Sequence, residues 1–260
     1  MPRLILGFDD AEAVARYAAR EFVRRARAAI EARGVFKVAL AGGSTPRRTY
    51  ELLAEPALAR RVDWGATHVF FGDERAVIPD HQDSNFNTAR LALLNQVAVP
   101  DSQVHRMAGE RGDLKGAARE YEAVLARVFA VPRGPDFPRF DLVLLGMGKD
   151  GHTASLFPYT TALDETRAWV VDNDVPSQQT QRLTITAPVI NAARCVVFLV
   201  AGSDKAEPLR CVIEGPRDER QFPSQMIAPP NGDLLWLVDE AAAARLARKP
   251  QDPSDLPPTS

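Results

Sequence analysis

Residues 36–53 read Phe-Lys-Val-Ala-Leu-Ala-Gly-Gly-Ser-Thr-Pro-Arg-Arg-Thr-Tyr-Glu-Leu-Leu, and the fold class turns on this stretch. Phe36 to Ala41 is an apolar run of strand length, Gly42 and Gly43 let the chain turn, and a helical pattern carries on through Leu53. A strand that feeds a helix through a glycine turn opens a parallel crossover unit. The same alternation recurs on either side. Upstream, Leu4–Phe8 predicts a strand, and Val14, Ala18, Phe22, Ala26 and Ile30 form an i+4 ladder along a helix from Asp9–Asp10 to Gly34. Downstream, His68–Phe71 predicts a strand, Asn85–Leu94 and Leu114–Phe129 predict helices, and Pro132–Pro138 is a breaker-rich loop. Phe140–Leu145 is apolar without interruption, the pattern of a strand buried on both faces.

Trp169–Val171 and Leu183–Thr186 predict strands, and the second alternates in polarity as a half-exposed strand would. Cys195–Ala201 predicts a strand, Lys205–Ile213 a helix, Leu234–Val238 a strand, and an alanine-rich helix starts at Glu240. The expected fold class is therefore α/β: a Rossmann-like open sheet, parallel or mixed, with helices on both faces. A single domain is expected over residues 1–249, and the tail Pro250–Ser260, rich in Pro, Asp and Ser, is expected to be disordered.

Composition bounds the function. The chain has 260 residues, 45% apolar and 25% charged, which excludes a disordered chain, a fibre or a disulfide-built miniature. A net charge of −2 gives no general pull toward nucleic acid or acidic membranes. An anionic ligand must be held by a local site, so the expected partner is a small-molecule substrate, with no nucleic acid and no membrane. A monomer or weak homo-oligomer is expected. Cys195 and Cys211 lack CxxC spacing and are expected to be buried, reduced thiols. No run approaches the roughly 18 apolar residues of a membrane span. The first residues turn acidic too soon for a signal peptide, so the expected location is cytoplasmic.

Four strand ends carry the chemistry, because ligands of open α/β sheets gather there. At the first, Gly42, Gly43, Ser44 and Thr45 form a glycine turn into a helix. Ser44 or Thr45 fits the cap, Pro46 fits the first helical position, and the free N–H groups suit a phosphate. At the second, Asp73, Glu74 and Arg75 follow a hydrophobic strand; Arg75 can face an anion or a developing oxyanion, with Asp73 and Glu74 orienting it or sugar hydroxyls. At the third, Gly146, Gly148 and Gly151 match G-x-G-x-x-G, with Asp172 about twenty residues on. Asp150 would meet the pyrophosphate there and Pro158 leaves no room for a crossover helix, so the dinucleotide reading is set aside. What remains is His152, an imidazole in a glycine-rich loop at a strand end. At the fourth, Lys205, one of only five lysines, opens a helix where its charge gains nothing from the dipole unless a phosphate is bound. Arg182 is a further cation candidate. His68, His81 and His105 lack metal-ligand spacing, so no metal is expected.

With these segments in view, the chain resembles the 6-phosphogluconolactonase family. The matching stretches are Ala41–Pro46, Gly72–Arg75 with Ser84–Asn85, Gly146–Pro158, Arg182–Pro188 and Gly202–Leu209. Tyr159 stands where the family commonly has glycine, and Lys149 where proline is frequent. The resemblance implies a carboxylic ester hydrolase that opens 6-phospho-D-glucono-1,5-lactone in the oxidative pentose phosphate pathway, without metal or organic cofactor. His152 would be the general base. Gly42–Thr45, Lys205 and Arg182 would hold the phosphate. Arg75, or backbone N–H groups of the Gly146–Gly151 loop, would stabilise the oxyanion, and Asp150 or Asp73 would orient His152 or sugar hydroxyls. The family shares its fold with glucosamine-6-phosphate deaminase/isomerase, the principal alternative. That enzyme's motif carries a glutamate five residues after the histidine, where this chain has Phe157. A non-catalytic sugar-phosphate-binding module is the alternative of another class, and no basic helix-turn-helix accompanies it here. NAD-dependent reduction ranks last.

Overall fold

The computed structural model describes residues 3–134 and 136–255. In chain order its strands and α-helices are β1 (Arg3–Phe8), α1 (Ala11–Arg33), β2 (Phe36–Leu40), α2 (Ser44–Ala54), α3 (Pro56–Ala59), β3 (Thr67–Phe71), β4 (Asp73–Arg75), α4 (Asn85–Ala89), α5 (Leu114–Phe129), β5 (Leu142–Gly146), β6 (Val170–Val175), β7 (Thr180–Ile185), α6 (Ala187–Asn191), β8 (Cys195–Val200), α7 (Ala206–Glu214), β9 (Asp233–Asp239) and α8 (Glu240–Ala243). Six strands form a parallel sheet in the order β1-β9-β8-β5-β2-β3. The expected single-domain α/β fold with helices on both faces is what the chain adopts.

Successive side chains of a strand point to opposite faces, so a fully apolar strand feeds two cores. In β8, Val196, Phe198 and Val200 enter one core with Tyr121, Leu125 and Leu209. Cys195, Val197 and Leu199 enter the other, with Val14 and Phe22 of α1 and Tyr50 and Leu53 of α2. Helix α1 is bounded as its sequence suggests: the Asp10 side chain accepts from Ala13 N at 2.8 Å, and Gly34, at φ 73°, closes the last turn.

The structure corrects several expectations. A second, antiparallel sheet, β4-β7-β6, lies beside the first. Its β4 is only Asp73–Arg75, a charged triplet that reads as loop. Residues 183–186 are not half exposed, because Leu183, Thr184, Ile185 and Thr186 are all buried. Helix α4 ends at Ala89, and residues 90–94 wind as a π-helix. Helix α7 starts at Ala206, after a 3-10 turn that contains Lys205. Cys195 is buried and Cys211 only half-buried; both are free thiols. The tail begins in order, since Gln251 bridges β1 through Gly7 N→Gln251 O (2.9 Å) and Gln251 N→Ile5 O (2.8 Å). Its residues 256–260 lie outside the described residues. No described helix is long and apolar enough to cross a membrane.

At the sheet edge, His105 extends β3 by donating its N–H to Val69 O at 2.8 Å. His68 Nδ1 and His105 Nε2 lie 3.0 Å apart with their ring planes 4° from parallel. Burial pushes His105 down to about 4, helped by His68 and Arg127, and lowers His68 with help from Lys37. The unfolded chain therefore binds protons below its own imidazole value, near 6.5, that the fold resists. Stability is complete above that value and is lost as pH falls toward 4. The urea midpoint should drop between pH 7 and pH 5, and His105→Gln should flatten that slope; equal slopes in the two proteins would refute the assignment.

Candidate active site

The chain passes from β2 outward to β3 and then returns to place β5 on the other side of β2. Such a switch point leaves a crevice at the strand ends. A cleft of about 260 Å³ opens there, walled by residues 41–46, Asp73, Arg75, Asn85, residues 146–148, His152, Ala154, Leu199, Ala201 and Lys205.

Ala41 is pinned by the buried Tyr50, whose hydroxyl accepts from Ala41 N at 2.9 Å and donates to Ala41 O at 2.7 Å. Gly42 is required by crowding: a Cβ there would lie 1.8 Å from Asn85 Oδ1 and 2.9 Å from Arg75 Nη1. Gly43, at φ 109°, is itself the residue preceding α2, and no side chain caps the helix. Ser44 is thus the first helical residue and Pro46 the third, not cap and first residue as the sequence suggested. With no side-chain cap, first-turn N–H groups stay available to an anion.

Glu74 is 2% exposed and accepts from Arg75 N, Asn85 N, Phe86 N and the Ser84 hydroxyl at 2.8–2.9 Å. Burial raises its pKa, and these four donors oppose the rise. Glu74 holds the start of α4 and the Arg75 backbone, and it is not part of the cleft wall. Asp73 is also committed: Oδ1 accepts from Asn85 Nδ2 (3.0 Å) and Oδ2 from Ser155 Oγ (2.7 Å). Arg75 donates to Asp83 O at 2.9 Å and to Asn85 Oδ1, which leaves further guanidinium donors over the cleft.

After β5 the chain makes a tight loop, with Gly148 N→His152 O at 2.9 Å and Thr153 Oγ1→Gly146 O at 2.8 Å. A Cβ on Gly148 would lie 2.0 Å from His152 Nδ1. Asp150 Oδ1 meets His152 Nδ1 at 2.5 Å and His152 N at 3.1 Å. Burial raises the Asp150 carboxyl, but its bonds with His152 outweigh that and leave it below the ordinary carboxylate value. Of the two carboxyls the sequence left open, Asp150 is the one in contact with the imidazole. Gly151, at φ 78°, packs against Phe222 and stays off the cleft wall. No helix starts at Gly151, so the dinucleotide fingerprint is not realised.

Lys205 lines the cleft with its side chain 20% exposed, and its Nζ lies 3.5 Å from Asp204 Oδ2, which Lys149 also approaches. Arg182 is not brought to the cleft wall. It sits opposite Arg75 in the β4–β7 pair, donates to Gln178 Oε1 at 2.9 Å, and lies over the Phe157 ring. Burial, then the neighbouring Arg75, lowers its pKa. Sequence reading passed over Asn85 and Ser155 as functional residues. The signal for Asn85 was its place just after Ser84, which caps α4; nothing local marks Ser155, because its partner is 82 residues away. Among the described residues no three His, Cys, Asp or Glu side chains could share a metal ion.

Comparison with known proteins places this geometry. A family model described as glucosamine-6-phosphate isomerases/6-phosphogluconolactonase matches residues 9–236. The 6-phosphogluconolactonase of Synechocystis sp. is 46% identical over 218 residues, covering 84% of this chain and 88% of that protein. The structure of 6-phosphogluconolactonase from Trypanosoma brucei superposes with a TM-score of 0.85 at 29% identity, over 95% of this chain and 99% of that one. A monomeric glucosamine-6-phosphate deaminase, at 22% identity and TM-score 0.77 over 93% of this chain and 99% of that one, shares the fold.

Asn85 joins Arg75, Asp73 and the start of α4, so Asn85→Ala leaves buried polar groups without partners. A loss of roughly 1–3 kcal/mol in urea unfolding is expected. A loss below about 0.5 kcal/mol would show that the hub is dispensable.

Proposed function

The chain belongs to the glucosamine-6-phosphate isomerase/6-phosphogluconolactonase family, and we propose that within it the protein is a 6-phosphogluconolactonase. It opens 6-phospho-D-glucono-1,5-lactone with water to give 6-phospho-D-gluconate. The observation that carries this reading is the Asp150–His152 pair, whose imidazole lies on the wall of a cleft that also holds the glycine turn and Lys205.

Asp150 accepts the Nδ1 proton of His152, which leaves the Nε2 lone pair as the base. Nε2 takes a proton from water as the water oxygen attacks C1 of the lactone. The carbonyl becomes an oxyanion, and the free donors of Arg75 are its natural partners. The Gly148 N–H is already bound to His152 O, which favours Arg75 over that amide. When the bond from C1 to the ring oxygen breaks, the imidazolium returns its proton to the departing oxygen. The first-turn N–H groups of α2 and the Lys205 ammonium hold the 6-phosphate, so that C1 rests at the imidazole. This scheme calls on no metal or organic cofactor. Phe157 has no ionisable group to assist amino-sugar ring opening, which favours the lactonase over the deaminase. Because sugar phosphates are charged and do not cross membranes unaided, the reading places the enzyme in the cytoplasm.

The test is a pH-stat assay with freshly generated lactone, corrected for spontaneous opening. His152→Ala should lower kcat by roughly 10²–10⁴, and wild-type turnover in that variant would remove its assignment as base. Ammonia release from glucosamine 6-phosphate would instead indicate the deaminase, and binding without turnover a sensor. In the same assay Lys205→Ala should raise KM by roughly ten- to a hundredfold, the worth of one charge-assisted bond. An unchanged KM would take the phosphate away from Lys205.

A further inference from the structure

The imidazole has a second neighbour besides Asp150. After His152 the chain reverses sharply: Ala154 adopts φ 48°, and Leu156 N donates to Thr153 O at 2.9 Å. The reversal lays Phe157 against His152, with ring centroids 4.0 Å apart and planes 27° apart. Phe157 is 2% exposed. Its carbonyl accepts from the Thr160 hydroxyl at 2.8 Å and from Thr160 N, and Tyr159 N is tied to Arg220 O. The aromatic ring is thus fixed before any ligand arrives. Asp150 fixes one atom of the imidazole, Nδ1, and a ring held at one atom can still tilt about that contact. A flat partner on its face removes the tilt. The face of an aromatic ring also carries negative charge density, which attracts a cation more strongly than a neutral ring.

We propose that Phe157 is a positioning residue for the hydrolysis: it squares the His152 imidazole with Nε2 toward the cleft and stabilises the imidazolium formed when water gives up its proton. This rests on the lactonase reading above. The Arg182 guanidinium lies 5.9 Å from the centre of the same ring.

Phe157→Leu keeps an apolar side chain but loses the flat face, and Phe157→Tyr keeps both. For Phe157→Leu, kcat should fall about tenfold or more with KM within roughly twofold of wild type. The acid limb of its kcat/KM–pH profile should move about half a unit to lower pH, because the cationic form loses its partner. Phe157→Tyr should recover kcat to within about threefold. In the unaltered protein the Hε1 proton of His152 should resonate upfield of its position in the unfolded chain through the ring current, a measurement that needs no variant to fold. Wild-type kcat and acid limb in Phe157→Leu, an equal loss in Phe157→Tyr, or an unshifted Hε1 would each overturn the proposal. Failure of the unaltered chain to open the lactone removes the lactonase reading and this proposal together, whereas normal turnover by Phe157→Leu removes this one alone.

Discussion

A carboxyl group taken out of water must be met by donors, or its burial costs several kcal/mol. Asp73 is 7% exposed, and its side-chain donors come from Asn85, 12 residues on, and Ser155, 82 residues on. One carboxyl therefore fastens three segments: the β4 triplet, the start of α4, and the turn that follows His152. Arg75 is drawn in through Asn85 Oδ1, and Gly42 is required because that amide occupies the place of a side chain. The relation between guanidinium and imidazole across the cleft follows from satisfying a buried acid. Glu74 acts in parallel, gathering four donors at the N-terminus of α4.

The contrast between what could and could not be read from sequence follows from this. Helix α5 begins and ends at Leu114 and Phe129 as its periodicity predicts, and β8 shows the continuous apolar run of a central parallel strand. Those signals are local, set by one element's own burial pattern. Strand β4 gave no signal, because Asp-Glu-Arg is a strand only by virtue of its partners on β7. The polarity of Thr184 suggested an exposed face, but its hydroxyl accepts from Ser155 N at 3.2 Å and is buried by that contact. Long-range polar pairing overrode local pattern in both cases.

The candidate site divides in the same way. Gly42, Gly43, His152 and Lys205 stood out in the sequence because they fall at strand ends, where ligands of open α/β sheets gather. All four line the cleft. The division of labour among acids was not legible. Asp73, Glu74 and Asp150 are equivalent as letters, and only contact geometry separates two that brace the scaffold from one that reaches the imidazole. Arg182 was named for its charge near the right strand. Register pairs it with Arg75 on one face of the small sheet, and its guanidinium lies 5.9 Å from the centre of the Phe157 ring and off the cleft wall.

The stack on His152 bears on which chemistry this scaffold suits. A lactone opens with one proton transfer from water and one to the departing oxygen, both within reach of a single imidazole. Such a base must change charge twice per turnover without being displaced. A carboxylate at residue 157 would hold the imidazolium by a second ion pair beside Asp150, favouring the charged state and slowing return of the proton. An aromatic face attracts the cation weakly by comparison and offers no competing acceptor. On the proposed lactonase reading, Asp150 sets the tautomer, Phe157 sets the plane, and the proton has only water and the ring oxygen to move between. On that reading, the difference between Phe and an acid at this one position acts through the imidazole's charge, while the sheet is common to both enzymes.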